Sequence, residues 1–190
     1  MRRKKHIMNT MQMAIALWVM AALMACSGSL ERMKQQAEQA LQAAEQADFT
    51  AVPADTVKVQ QAAKHIEAFA ATYKDDPSVP DLLYRLALVV QRQKKSVEAV
   101  ELLRRVYSLY PSSPSAHKAL FLEGFILANE LSDTAGARKA YQHFLDQYGQ
   151  WDEQLTQNAR FELEHLGKSP EQLLQELLDK QKPDSLQMPS

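Results

Sequence analysis

The chain has 190 residues, with 22 Lys or Arg against 23 Asp or Glu, 5 Gly and 1 Cys. That length suits a domain with its own core, and the near-neutral balance excludes the strongly basic surface that binding to nucleic-acid phosphate requires. A lone cysteine excludes an internal disulfide, and few glycines among many Ala, Leu, Gln and Glu favour helix.

The N-terminus carries Arg2, Arg3, Lys4, Lys5 and His6, followed by an apolar stretch over residues 13–25. This stretch is shorter than the ~20 residues a membrane-spanning helix needs. It closes on Leu23-Met24-Ala25-Cys26, the layout of a bacterial lipoprotein signal. Cleavage before Cys26 would free a thiol for acylation, so Cys26 is the expected lipidation site and several acyl chains the expected anchor. A plain secretory peptide or a signal anchor with an incidental cysteine is the alternative, because Met24 is bulkier than the small residue usual there. Removing residues 1–25 takes away four basic side chains and no acid, lowering the net charge of −1 by four and leaving a mildly acidic body.

Residues 26–55 read as a tether, Ser27-Gly28-Ser29, and a polar helix over 30–48 whose stripe of Met33, Ala37, Leu41 and Ala44 is expected to bury little. A break with Pro53 follows. From Thr56 a repeat emerges. Ala62, Ala99 and Ala137 stand 37 and 38 residues apart. Ile66, Leu103 and Tyr141 come next, then Phe69, Val106 and Phe144, then Tyr73, Tyr110 and Tyr148. This spacing sets a small, two large and an aromatic side chain on one helical face. Pro or Gly then stops each helix.

The later two such helices each follow a partner. One spans 81–91 with Ala87 on its apolar side, the other 116–130 with Gly124, and these small residues permit close approach. Ser78, Ser115 and Asp133 are the expected N-caps. Recurrence at a fixed period predicts an all-α solenoid of antiparallel helix pairs over 56–181, with an ordinary helical bundle, which needs no such period, as the alternative. A helix over 154–166 and a capping helix opened by Ser169-Pro170-Glu171 complete it. The last helix carries a seam of Leu173, Leu174, Leu177 and Leu178, and residues 182–190 read as a disordered tail.

These repeats resemble the tetratricopeptide family. With Ala87 at the first small position, Ala99, Leu103, Val106 and Pro111 fall where that family places Ala, an aromatic, Ala and Pro. Gly124, Ala137, Tyr141 and Phe144 repeat the match, with one residue inserted between the helices and Gly149 in place of Pro. The resemblance covers roughly residues 57–166, in units longer than the usual ~34 residues. The stretch from Phe121 to Tyr148 is similar to tetratricopeptide lipoproteins of Bacteroidota-like bacteria. A lipid anchor followed by such repeats is distantly similar to the D-subunit lipoprotein of the β-barrel assembly machine, which is longer. Ser27 after the cysteine implies, by the proteobacterial rule, the outer membrane, and the absence of an acidic run there implies its periplasmic face.

The resemblance implies a groove for extended peptides lined by the first helix of each pair. Tyr84, Arg92, Lys118, Phe121 and Asn129 are the peptide-binding candidates. Leu88 and Phe125 are expected to pack on neighbouring helices. The family's carboxylate clamp needs Lys and Asn at positions held here by Tyr84 and Leu88. His65, His117, His143 and His165 lack the i, i+4 spacing of a helical metal site and are expected at the surface. No phosphate loop or nucleophile elbow occurs, so neither a catalytic residue, a metal nor a cofactor is expected. The expected role is a non-catalytic, lipid-anchored scaffold for envelope proteins, with β-barrel assembly as one partner context and peptidoglycan synthesis or division as the other. Its partners are therefore envelope proteins and, through lipid, the membrane, with no nucleic acid.

Overall fold

A computed structural model describes residues 28–50 and 56–181. The expected signal segment with Cys26, the expected break at Pro53 and the expected tail from residue 182 lie outside the described residues. The described chain is all-α: α1 over 28–45, α2 Thr56–Thr72, α3 Val79–Arg92, α4 Ser96–Leu109, α5 Ala116–Asn129, α6 Thr134–Tyr148, α7 Glu153–His165 and α8 Pro170–Gln181. Neighbouring helices pack in sequence order, α2 on α3, then α4 on α5, α5 on α6 and α6 on α7, as in a tetratricopeptide-like solenoid. Among the described residues no helix is long and apolar enough to cross a membrane. The chain divides into two compact units between Gln93 and Lys94.

In the first unit α1 is a packed element. It begins at Gly28, inside the expected tether, and its Ser29 hydroxyl bonds the Tyr73 hydroxyl at 2.8 Å. Ala37, Leu41 and Ala44 are fully buried, against the expectation that this stripe buries little. Small side chains bury little area each, but they let the helix backbone come close, so the one Leu among them is enclosed completely. Contacts advance in the same direction along α1 and towards the end of α3: Lys34 to Asp76 at 3.4 Å, Glu38 to Arg85 at 3.0 Å, Glu45 to Arg92 at 2.7 Å. Helix α1 therefore lies beside α3 and parallel to it. Val59, Ala62, Ile66 and Phe69 of α2 form the rest of this core with Leu82, Leu83, Leu86 and Ala87 of α3.

The second unit is built on the α5–α6 pair. Gly124 faces the ring of Tyr141, and an added Cβ would sit 2.8 Å from Cε1. The small residue expected at this position thus sets the approach of the two helices. Ala137, Tyr141 and Phe144 are fully buried. Tyr148 donates to the Pro111 carbonyl at 3.0 Å, fastening the end of α6 to the α4–α5 connection. Buried Glu123 accepts from Arg104 Nε at 2.7 Å and links α5 to α4.

Capping follows the sequence in part. Asp133 accepts from Gly136 N at 2.8 Å, and Ser169 and Gln172 form a reciprocal capping box. Asp152 also caps α7, accepting from Leu155 N at 3.0 Å. Ser78 and Ser115 occupy N-cap positions without a side-chain cap bond. Ser78 instead gives its amide and its hydroxyl to the carboxylate of Asp76, which organises the turn before α3. The turns after α3, α5 and α7 share one device, a residue at positive φ: Lys94 at 63°, Ser132 at 54° and Gly167 at 83°. A three- or four-residue reversal between helices demands that left-handed step, and only Gly167 adopts it without a Cβ penalty.

Candidate functional site

The candidate residues fall in both units, and each unit treats its own differently. In the first, Tyr84 and Arg92 lie on α3. Tyr84 is half-buried, and burial followed by the charge of Asp81 pushes its phenol above the ordinary range. Arg92 is turned to internal use. It donates to the carbonyls of Glu45 at 2.7 Å and Ala47 at 3.3 Å and lies 5.2 Å from the centroid of the Phe49 ring. A guanidinium on the last carbonyls of a helix satisfies orphan acceptors and complements the negative end of the dipole. Arg92 is thus a fastening for the end of α1.

Two turns earlier on α3, Arg85 grips the same helix. Nε and Nη2 hold the two carboxylate oxygens of Glu45 at 2.8 and 2.9 Å, and Nη1 reaches Glu38 at 3.0 Å. The hydrogen bonding Arg85 donates to Glu45 leads in raising its pKa well above the ordinary value, against the opposing effect of burial. Sequence reasoning missed this clamp because its acids stand 40 and 47 residues away in a segment read as a loose polar helix.

The second unit carries Lys118, Phe121 and Asn129 on α5. This helix is apolar around most of its circumference, and Ala116, Ala119, Leu120, Gly124, Ile126 and Leu127 enter the core. Lys118 and Asn129 are left exposed. Phe121 is half-buried, its ring 5.6 Å from Tyr141 and 5.7 Å from Phe144, so much of it serves the core. Phe125, expected to pack on a neighbouring helix, is 39% exposed. One helix cannot enclose apolar side chains on every side, and Phe125 is the one left facing out.

Helix α7 repeats the motif. Phe161 is 61% exposed and is followed four residues later by His165, as Phe125 is followed by Asn129. In both, the polar side chain bonds back to the phenylalanine carbonyl: Asn129 Nδ2 to Phe125 O at 2.9 Å, His165 Nδ1 to Phe161 O at 2.7 Å. The Phe161 and His165 rings stack at 4.1 Å between centroids. Between the ends of α5 and α7 and the starts of α6 and α8 lies a groove of about 420 Å³, where Asn129, Phe161, Glu162 and His165 meet Thr134 and Lys168. Of the five candidates only Asn129 lines it. The recurring Phe-x-x-x-Asn/His pair was the available sequence signal for the rest.

His117, expected at the surface, is buried at 8% exposure. It lies at the start of α5 with its ring beside Trp151 and Tyr148, and its Nε2 is 4.0 Å from the carboxylate of Asp152. Its Nδ1 is buried without a hydrogen-bond partner among the described residues. Burial first, then the positive charge of Lys118, lowers its pKa, with Asp152 opposing. Among the described residues no group of His, Cys, Asp and Glu is placed to hold a metal ion. No protein-family model and no curated protein matches the chain.

Proposed function

We propose that the protein is a lipid-anchored, non-catalytic scaffold of the cell envelope whose helical repeats hold an extended segment of another envelope protein, with outer-membrane β-barrel assembly as the first context. The carrying observation is the row of partly exposed aromatic and polar side chains on α5 and α7. Phe125 and Asn129 stand on α5, whose other sides are largely spent on the core, and Phe161 and His165 repeat the arrangement on α7, which buries Thr156 and Ala159. Exposed aromatics beside polar ends are what a binding surface uses as anchors. The tetratricopeptide-like packing of consecutive helices supports the same reading, and so does a signal segment that ends on Cys26. Lipid on Cys26, after export, would hold the repeats at the periplasmic face of the outer membrane.

Crosslinking in intact native cells through a C-terminal tag, followed by mass spectrometry, tests this. A Phe125→Ala/Lys118→Ala double variant is the sound comparison, since both side chains are exposed, whereas Phe121→Ala would also cut into the core. Recovery of a β-barrel assembly protein from the wild-type chain, lost in the double variant, is the expected result. Recovery of cell-wall synthases instead would move the role to peptidoglycan synthesis or division. Labelling with a palmitate analogue, abolished by Cys26→Ser, tests the anchor.

A further inference from the structure

We infer that the groove between the ends of α5 and α7 in the second unit is a subsite for a basic side chain, lysine or arginine, of the bound polypeptide segment. The inference rests on the scaffold reading above and adds the chemistry of one position in the ligand. Three side chains in the groove lining, Asn129, Glu162 and His165, offer hydrogen-bond acceptors. Asn129 commits one of its two amide N–H groups to the Phe125 carbonyl, and this orientation leaves Oδ1 available as an acceptor. A carbonyl oxygen only accepts, so His165 Nδ1 carries a proton, and in the tautomer this sets Nε2 is the nitrogen with the lone pair. Glu162 lines the same wall and forms no ion pair among the described residues.

The one cation in the lining is already neutralised. Lys168 Nζ lies 2.7 and 2.8 Å from the two carboxylate oxygens of Glu176. The exposed Phe161 ring supplies a π-surface for a cation, since its partner His165 stacks beside it. The C-terminal residues of α5 and α7 also form the lining, so the negative ends of two helix dipoles meet there. The opposing start of α6 is covered by the Asp133 carboxylate, which accepts from Gly136 N and adds a further negative charge. Acceptors, a π-face and net negative potential together suit a donor-rich cation and reject a carboxylate or phosphate.

The test is an amide-shift titration of the ¹⁵N-labelled full chain with three probes: acetyl-Gly-Lys-Gly-amide, the same tripeptide with norleucine for lysine, and cadaverine. The lysine tripeptide is expected to shift amides within 128–134 and 161–168. The norleucine isostere, equal in length but uncharged, is expected to leave them in place. Glu162→Gln should weaken the lysine tripeptide about tenfold, and Phe161→Leu about threefold, with the remaining amide shifts unchanged as evidence of an intact fold. Equal shifts with norleucine, or wild-type affinity in Glu162→Gln, would overturn the inference. Cadaverine binding as tightly as the lysine tripeptide would overturn it too, by making the groove a site for free diamines. If crosslinking captures an envelope protein while lysine shifts nothing here, the subsite alone falls. If lysine binds and crosslinking captures no envelope protein, the scaffold role falls.

Discussion

Gly124 is the point where the α5–α6 pair has least room. A methyl group there would meet Tyr141 Cε1 at 2.8 Å and Cδ1 at 2.9 Å, and Tyr141 is wholly buried, so its ring has nowhere to retreat. Gly124→Ala is expected to lower stability by about 1–3 kcal/mol despite the better helix propensity of alanine, measured by urea unfolding. His117 makes a second residue-scale statement, about pH. Its folded-state pKa is lowered, so the unfolded chain binds a proton more readily. The stability held by the neutral ring is therefore complete above the ordinary value of 6.5 and is lost as pH falls below it, down to the depressed folded-state value. His117→Leu should flatten this acid limb in unfolding curves taken from pH 7.5 to 5. A variant that kept the wild-type slope would assign the loss to other groups.

At the scale of elements, the turns after α3, α5 and α7 each need one left-handed residue, but only one has a glycine. Ser132 carries a Cβ at φ 54°. Ser132→Gly should raise stability by about 0.5–1 kcal/mol, visible as an upward shift of the melting temperature, because removal of steric strain outweighs the added freedom of the unfolded chain. Helix spacing and turns were legible in the sequence where the cause is local. The Ala-led series put Ala137, Tyr141 and Phe144 on the buried face, and Asp133 and Ser169 announced their helices through groups within three residues. Ser78 shows the limit of that reasoning. Its hydroxyl had the right position for a cap, yet Asp76, two residues earlier, offered a charged acceptor and won.

For the molecule as a whole, the least legible part was α1. Its stripe of small residues carries a weak amphipathic signal, and what fixes the helix is a set of partners far along the chain: Tyr73, Asp76, Arg85 and Arg92. No periodicity within 28–45 encodes those. Leu41, enclosed completely, is the direct test. Leu41→Ala is expected to cost about 2–4 kcal/mol in the first unit and to speed hydrogen exchange across α1 and α3. An unpacked polar helix would tolerate the change within about 0.5 kcal/mol. The candidate site was legible only in its composition. Asn129 was found, but Phe161, Glu162 and His165 were not, since they act together only once α5 and α7 bring their ends side by side.

The two back-bonds, Asn129 to Phe125 and His165 to Phe161, would bear on the speed and cost of the recognition proposed above. A side chain tethered to its own helix one turn back has already given up its rotamers before any ligand arrives. The loss of about 0.5–1.5 kcal/mol per immobilised side chain that binding normally incurs is thereby largely spent at folding. A surface prepared in this way gains in residence time what it forgoes in adaptability, and it discriminates by shape at the moment of encounter.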